Sequence, residues 1–376
     1  MDTGVVLTGG GARAAYQVGV LKGISDIFPD WAHPFRVIVG TSAGAINAVA
    51  LAGGGGVFRH NITKLEQIWS ELTIDQIYKA NSYDILRNMT DIARRMISGA
   101  YDESPMALLN NSPLKALLKR EVDFGQARAA IAAGNIAALG VNACGYTTGQ
   151  SICFFEGAPS IAGWAIGQRA GVRTELGLDH VLASSAIPTL FRPVRINREY
   201  FGDGVTRQMA HISPALRLGA SKVLVIGVSA NNICPPKRPK TPEVADLGHV
   251  IAHVFNGMFL DTLDYDIDRL RLINQLLELV PEDKLQESKL DLKPVRLLEI
   301  SPSEDMGELA TRYLNRIPMV LRRFAGASRD AHSSGSSLVS YLMFDQGFCR
   351  ELIRMGYEDA QRQSRQIEQF FKADAN

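Results

Sequence analysis

A five-residue turn, Gly40-Thr41-Ser42-Ala43-Gly44, constrains this chain more than any other feature. The apolar run Val37-Ile38-Val39 leads into it, and the small-residue run Ala45-Ile46-Asn47-Ala48-Val49-Ala50 leads out. That order reads as strand, sharp turn, helix. Gly-x-Ser-x-Gly in such a turn forces the serine to the tip of the bend, and a Cβ at Gly40 or Gly44 would clash there. The helix that follows opens with unpaired N–H groups, which favour negative charge developing beside the serine. A plain strand-to-helix turn has the same look in a chain with 34 glycines, so the pentapeptide takes its weight from its neighbours.

Those neighbours set the fold class. Val5-Val6-Leu7 reads as a short buried strand, and Ala14 to Phe28 carries Val20, Leu21, Ile24 and Ile27 at helical spacing. Pro29 and Pro34 punctuate the return to the next strand, Arg36–Val39. This β-α-β-α order predicts an α/β fold, a mainly parallel central sheet with helices on both faces. Residues 60–125 read as a helical insertion, with Ser112 as N-cap before Pro113; it either roofs a cleft or serves as scaffold. Ile136 to Phe155 reads as two strands around Thr147-Thr148-Gly149, and Val223 to Val228 as a further buried strand. The four prolines between Asn231 and Pro242 mark a linker or loop. Glu243 to Val280 and Gly347 to Phe371 have helical patterns, and Ser333 to Ser337 reads as a mobile loop. The expected organisation is an α/β domain over 1–230 and a mostly α-helical C-terminal region over 243–376.

Composition excludes classes rather than naming one. Hydrophobic residues make up 46% and charged residues 21%, the balance of an ordinary globular protein. A formal net charge of +1 gives no global field for nucleic acid. The four cysteines, Cys144, Cys153, Cys234 and Cys349, form no Cys-x-x-Cys pair, so neither a disulfide framework nor a zinc site is expected. His249 and His253 are four apart on a helical stretch, but the intervening residues lack a metalloprotease glutamate, and both read as structural. No basic segment precedes an apolar run at the start, and no run reaches the roughly 18–20 apolar residues of a membrane span. The nearest candidate, Ala43 to Phe58, is glycine-rich and carries Asn47. A cytoplasmic protein without metal or cofactor is expected.

Acyl transfer needs a nucleophile, a base and donors for an oxyanion. Ser42 is the candidate nucleophile. Thr8-Gly9-Gly10-Gly11-Ala12-Arg13 follows the first strand directly, and a glycine run lets main-chain N–H groups face a ligand without Cβ obstruction. Both glycine-rich turns follow neighbouring early strands, at the sheet edge where α/β sites form. Gly-x-Gly-x-x-Ala also fits a dinucleotide fingerprint, but that template wants a carboxylate closing the second strand, where Gly40 and Thr41 stand. The histidines give no telling context for a base; His180 and His211 read as loop residues. Asp203, between Gly202 and Gly204, reads as a tight-loop residue after Glu199–Phe201 and is the carboxylate that stands out.

Together these blocks resemble the patatin-like acyl hydrolases. Gly9-Gly10-Gly11-Ala12-Arg13, Gly40-Thr41-Ser42-Ala43-Gly44 and Asp203-Gly204 occur in the family's order, and Ala183-Ser184-Ser185-Ala186-Ile187-Pro188 through Phe191-Arg192-Pro193 resembles the segment before its aspartate. The resemblance covers about residues 4–230; the C-terminal region is similar to bacterial members more loosely. Ala14 stands where the family usually has glycine, and Val205 where it has glycine or alanine. The resemblance implies a Ser42–Asp203 dyad without histidine. It implies an oxyanion hole at Gly9, Gly10, Gly11 and Arg13, with the Ala43 N–H as a further donor; Arg13 either orients the oxyanion loop or a phosphate, or makes a structural ion pair. A free aspartate is a weak base, so Asp203 is expected to be largely buried and within hydrogen-bond reach of Ser42. The implied substrate is a lipid ester: a phospholipid, lysophospholipid or glyceride. Phe255, Met258, Phe259 and Leu263 either cover an acyl tunnel or belong to a core stripe, and Asp261, Asp264, Asp266 and Asp268 beside them argue that any transient peripheral membrane contact uses another face. The alternatives are a Ser-His-Asp esterase of the ordinary α/β-hydrolase type and a degenerate binding or scaffold protein.

Overall fold

The computed structural model describes residues 2–79, 81–98, 107–230, 250, 253–254, 257–258, 261–287, 292–324 and 334–372. The expected linker over 231–242, together with His249, Phe255, Phe259 and Cys234, lies outside the described residues.

The centre of the sheet is built from three short apolar runs. β1 (Thr3–Leu7), β2 (Val37–Thr41) and β9 (Lys222–Ile226) are buried along their whole length. A parallel strand covered on both faces must be apolar at every position. Alternate residues serve opposite faces. Val5, Leu7, Ile38, Leu224 and Ile226 join one core, while Val6, Val37, Val39, Val223 and Val225 join the other. β3 (Ala138–Gly145) pairs parallel with β2, and β10 (Arg296–Ile300) pairs parallel with β9. The sheet runs β10-β9-β1-β2-β3-β4-β6-β5, with β4 (Ser151–Gly157), β5 (Trp164–Ile166) and β6 (Arg169–Arg173) on one side. Its centre is parallel, as expected, and antiparallel pairs finish it: β3 with β4, and β5 with β6. β7 (Val194–Ile196) and β8 (Glu199–Asp203) form an antiparallel pair that joins β3.

Helices cover both faces. α1 (Ala15–Ile27), α2 (Ala43–Ala52) and α3 (Phe58–Ser70) supply the larger core. The insertion continues with α4 (Ile74–Ile77), α5 (Ser82–Ser98), α6 (Ser112–Glu121) and α7 (Phe124–Ala132). α6 begins one residue earlier than expected: Asn111 is the N-cap, Ser112 is the first helical residue, and Pro113 lies in the first turn. α8 (Leu178–Ser184) precedes β7 and contains His180, which is therefore helical rather than in a loop. Its Nδ1 accepts the Gly177 N–H at 3.1 Å and so closes the N-terminus of that helix. α9 (Ser213–Arg217) lies on the opposite face with α10 (Asp261–Leu279); Ala215, Leu263, Ile267 and Leu270 form the second core with Val6, Val37, Val39, Val223 and Val225.

The C-terminal region adds α11 (Glu282–Glu287), α12 (Met306–Thr311), α13 (Met319–Phe324), α14 (Ser334–Leu342), α15 (Gln346–Arg362) and α16 (Ser364–Lys372). α15 packs along α1, where Tyr16 Oη donates to the buried Asp359 at 3.0 Å. The stretch expected as a mobile loop, Ser333–Ser337, is helical from Ser334 on. Serine and glycine are weak helix formers, but tertiary contacts described below hold α14.

Candidate active site

Main-chain register brings the two ends of the site together. Along one edge of β3, Thr41 pairs with Asn142 and Asp203 pairs with Ala143. β2 and β8 therefore meet end to end on the same strand. Ser42, the residue after Thr41, reaches Asp203 across 161 positions of sequence: its Oγ donates to Asp203 Oδ2 at 2.6 Å. Asp203 is the last residue of β8 rather than a loop residue, and it is fully buried, while Ser42 is 2% exposed.

Ser42 has φ 55° and ψ −128° at the N-cap of α2, a conformation that costs a non-glycine residue about 1–3 kcal/mol. Packing on both sides maintains it. Gly44 lies so close to the Leu7 and Thr8 carbonyl oxygens that a Cβ would collide with both. The Ser42 N–H donates to Ser184 Oγ at 2.8 Å, and the Ser184 hydroxyl donates to the Asn142 carbonyl at 2.6 Å. Sequence reasoning gave Ser184 no role. It sits in the Ala183–Pro188 segment, and the only hint was a small polar residue inside an apolar stretch.

Asp203 Oδ1 accepts the Val205 N–H at 3.0 Å. Burial pushes its carboxyl up to about 7, against the smaller opposing pull of the hydrogen bonds from Ser42 and Val205. Val205 packs its Cγ2 beside Gly9 and fixes the gap between the aspartate and the glycine run. Ala14 is buried at the end of the short helical turn Gly11–Ala14.

The run Gly9-Gly10-Gly11 faces the same space. Gly10 closes the turn by accepting the Arg13 N–H at 3.1 Å. Among the described residues no protein acceptor takes the N–H of Gly9, Gly10, Gly11 or Ala43. Arg13 is 3% exposed, and its guanidinium is committed to the C-terminal region. Nε donates to Ser340 Oγ at 2.6 Å, Nη2 to Ser337 Oγ at 2.8 Å, Nη1 to the Val228 carbonyl at 3.4 Å, and the group lies over the Tyr341 ring at 4.4 Å. Gly11, at φ +55°, rests against the Tyr341 carbonyl. α14 thus buttresses the glycine run from behind. Asn47, the polar residue inside α2, is fully buried and ties this region together; it donates to the Ala14 carbonyl at 3.1 Å and accepts from Trp69 Nε1 at 2.8 Å.

A cavity opens from Gly11, Ser42 and Ala43 and runs between α2, α3, α4 and α6. Its volume is about 50 Å³. That describes a narrow slot. Ile46, Leu65, Trp69, Leu114, Leu117 and Phe344 make its wall apolar. The insertion therefore roofs a cleft. Neither Met258 nor Leu263 lines this cavity: Met258 packs against the larger core, and Leu263 lies in the core on the opposite face. Asp266 caps that arrangement by accepting the Ile212 N–H at 2.8 Å.

No histidine bonds Ser42 or Asp203 among the described residues. His211 is buried against Thr262 Oγ1 at 2.9 Å, and burial lowers it to about 4. His180 stacks edge-on to Phe154 and is lowered by burial as well. His253 is exposed. Cys144, Cys153 and Cys349 are buried free thiols. Among the described residues no three His, Cys, Asp or Glu side chains converge as metal ligands, and no helix is long and apolar enough to cross a membrane.

The family model described as patatin-like phospholipase matches residues 5–216, more than half of the 376. None of the curated proteins matches the chain. Among solved structures, one described as VipD from Legionella pneumophila is similar at 14% identity and a TM-score of 0.39, covering 99% of this chain and 67% of that one.

Proposed function

This chain belongs to the patatin-like phospholipase family, and from that premise we propose that it is a serine acyl hydrolase cleaving lipid carboxylic esters through Ser42 and Asp203. The observation that carries the reading is the 2.6 Å hydrogen bond from Ser42 to a buried carboxylate at the mouth of an apolar slot.

Ser42 Oγ attacks the ester carbonyl as its proton passes to Asp203 Oδ2. The carbonyl oxygen becomes an oxyanion, and the uncommitted N–H groups of Gly10, Gly11 and Ala43 receive it at the N-terminus of α2. The Ser42 N–H takes no part, because Ser184 holds it. The tetrahedral intermediate collapses as Asp203 returns the proton to the departing alcohol, leaving an acyl-serine. Water then attacks that acyl group as Asp203 takes its proton; the second tetrahedral intermediate collapses with Asp203 returning the proton to Ser42 Oγ, and the fatty acid leaves. A base poised near 7 serves both proton transfers at neutral pH, which an exposed aspartate would not. Arg13 acts as a positioning residue: it fixes the glycine run to α14. The apolar slot receives the acyl chain, and its narrowness suits a single unbranched chain. All reacting groups fall within residues 1–230, with α14 and Phe344 as supports from the C-terminal region.

The test is hydrolysis of p-nitrophenyl esters of graded acyl length by the wild type and by Ser42→Ala. The expected results are turnover with a preference for longer chains, and a loss of at least about 1,000-fold in kcat/KM in the variant. Equal activity in the two proteins would remove Ser42 from the mechanism. The direct Ser–Asp contact favours this dyad over a Ser-His-Asp arrangement.

A further inference from the structure

α5 has apolar residues on two sides and, among the described residues, packs only one of them. On the inner side Ile85 is buried, and Asn88 Nδ2 donates to the Leu108 carbonyl at 3.0 Å. On the outer side Tyr83, Leu86, Met89 and Ile97 are 70, 58, 37 and 87% exposed. At 3.6 residues per turn, Tyr83, Leu86, Ala93 and Ile97 fall within one stripe about 80° wide, with Met89 at one edge; Thr90 lies inside it and turns its hydroxyl back onto the Arg87 carbonyl. Arg87 and Arg94, both exposed, run along the other edge. Neither guanidinium has an ion-pair partner among the described residues. The acids of the helix, Asp84 and Asp91, lie further round, beyond the arginines.

The helix is joined to the cavity wall through its inner side, where Asn88 holds the Leu108 carbonyl. The Leu108 and Leu109 N–H groups donate to the Thr189 and Leu190 carbonyls at 2.8 and 2.9 Å. Those two residues lie between Ile187 and Phe191, which line the slot. An apolar stripe that faces water and carries unpaired cations along its border matches the physics of a helix lying in a lipid–water interface. The stripe enters the headgroup region and the guanidinium groups meet phosphates.

We infer that α5 docks the protein on an anionic lipid surface, with Tyr83, Leu86 and Ile97 among the headgroups and Arg87 and Arg94 on lipid phosphates. The inference rests on the proposed lipid hydrolysis and deepens it: the substrate is presented as a packed anionic interface, beside the wall of the slot that takes its acyl chain.

Sedimentation of the full chain with vesicles tests this, using phosphatidylcholine alone and phosphatidylcholine with about three parts in ten phosphatidylglycerol. The wild type is expected to bind the mixed vesicles more tightly. Each arginine at such a surface contributes a factor of about five, so Arg87→Gln with Arg94→Gln weakens partitioning about 30-fold. Leu86→Glu with Ile97→Glu abolishes it. Both double variants should keep the wild-type melting temperature and the wild-type rate on p-nitrophenyl butyrate, a dispersed ester that needs no docking. Equal wild-type binding to the two vesicle types, or wild-type binding by both variants, overturns the inference. So does light scattering that shows a wild-type dimer which Leu86→Glu with Ile97→Glu converts to monomer without any loss of lipid binding. Failure of the catalytic reading looks different: vesicle binding persists while no ester is turned over.

Discussion

Asp203→Asn is expected to stabilise the protein while abolishing its turnover. The side chain is fully buried, and burial holds its carboxyl near 7 against an ordinary value of 3.8. Its folded value is raised, so the folded state binds the proton more tightly than the unfolded chain. The stability that this contributes is complete below pH 3.8 and is lost as pH rises through about 7. At 1.36 kcal/mol per pH unit, the charged form costs the fold about 4 kcal/mol above pH 7. An asparagine avoids that cost and keeps both contacts, since Oδ1 still accepts from Val205 and Nδ2 donates to Ser42 Oγ. Unfolding entropy of about 2.1 cal/mol/K per residue gives ~0.8 kcal/mol/K for this chain, so the variant should melt ~5 °C above wild type at pH 8. At pH 5 the cost is about 1.6 kcal/mol and the gap shrinks to ~2 °C. Paired melting curves across this pH range isolate the one carboxyl, because all other groups cancel in the difference. A gap that stays constant with pH, or that narrows as pH rises, would refute the claim that Asp203 is a desolvated base.

With Asp203 as the proposed base, the same carboxyl should set the pH profile of turnover. On a short-chain ester, log kcat/KM should climb with unit slope to about pH 7 and level off above it; a profile already flat at pH 5 contradicts the assignment. Arg13→Met should lower kcat about 10- to 100-fold with little change in KM, because the glycine run loses its anchor on Ser337 and Ser340. Arg13→Lys should fail to restore the rate, since one ammonium cannot span the acceptors that the guanidinium fork reaches. Ile68→Trp, in the wall of the slot, should shift the acyl-length optimum toward shorter chains, cutting dodecanoyl hydrolysis at least about 10-fold and sparing butanoyl. Steady-state kinetics on the graded ester series checks all of these.

Much of this architecture was legible in local sequence. The runs Val5-Val6-Leu7, Val37-Ile38-Val39 and Val223-Leu224-Val225-Ile226 are apolar at every position, which a parallel strand buried on both faces requires. The two glycine turns follow adjacent strands, so their meeting at one sheet edge follows from β-α-β order alone. What local sequence could not supply was register. Ser42 and Asp203 meet because β2 and β8 abut on β3, and no residue near either position encodes that pairing. The apolar slot shows the same limit. Met258 and Leu263 have a spacing much like that of Leu65 and Trp69, but Met258 packs on the larger core and Leu263 on the second, while Leu65 and Trp69 face the cavity. Chain topology chooses between them. The misread loop at Ser333–Ser337 has a further cause: weak helix formers are held helical by bonds from Arg13, more than 320 residues away.

Labelling with a fluorophosphonate tests the central claim most directly, because the probe forms its phosphorus–oxygen bond, with loss of fluoride, only to an activated serine. One adduct is expected, mapped by peptide mass spectrometry to Ser42, with a labelling rate that rises through about pH 7. That adduct is absent in Ser42→Ala and forms at least about 100-fold more slowly in Asp203→Asn. An adduct on another serine, or labelling of Ser42 at an undiminished rate in Asp203→Asn, would contradict it.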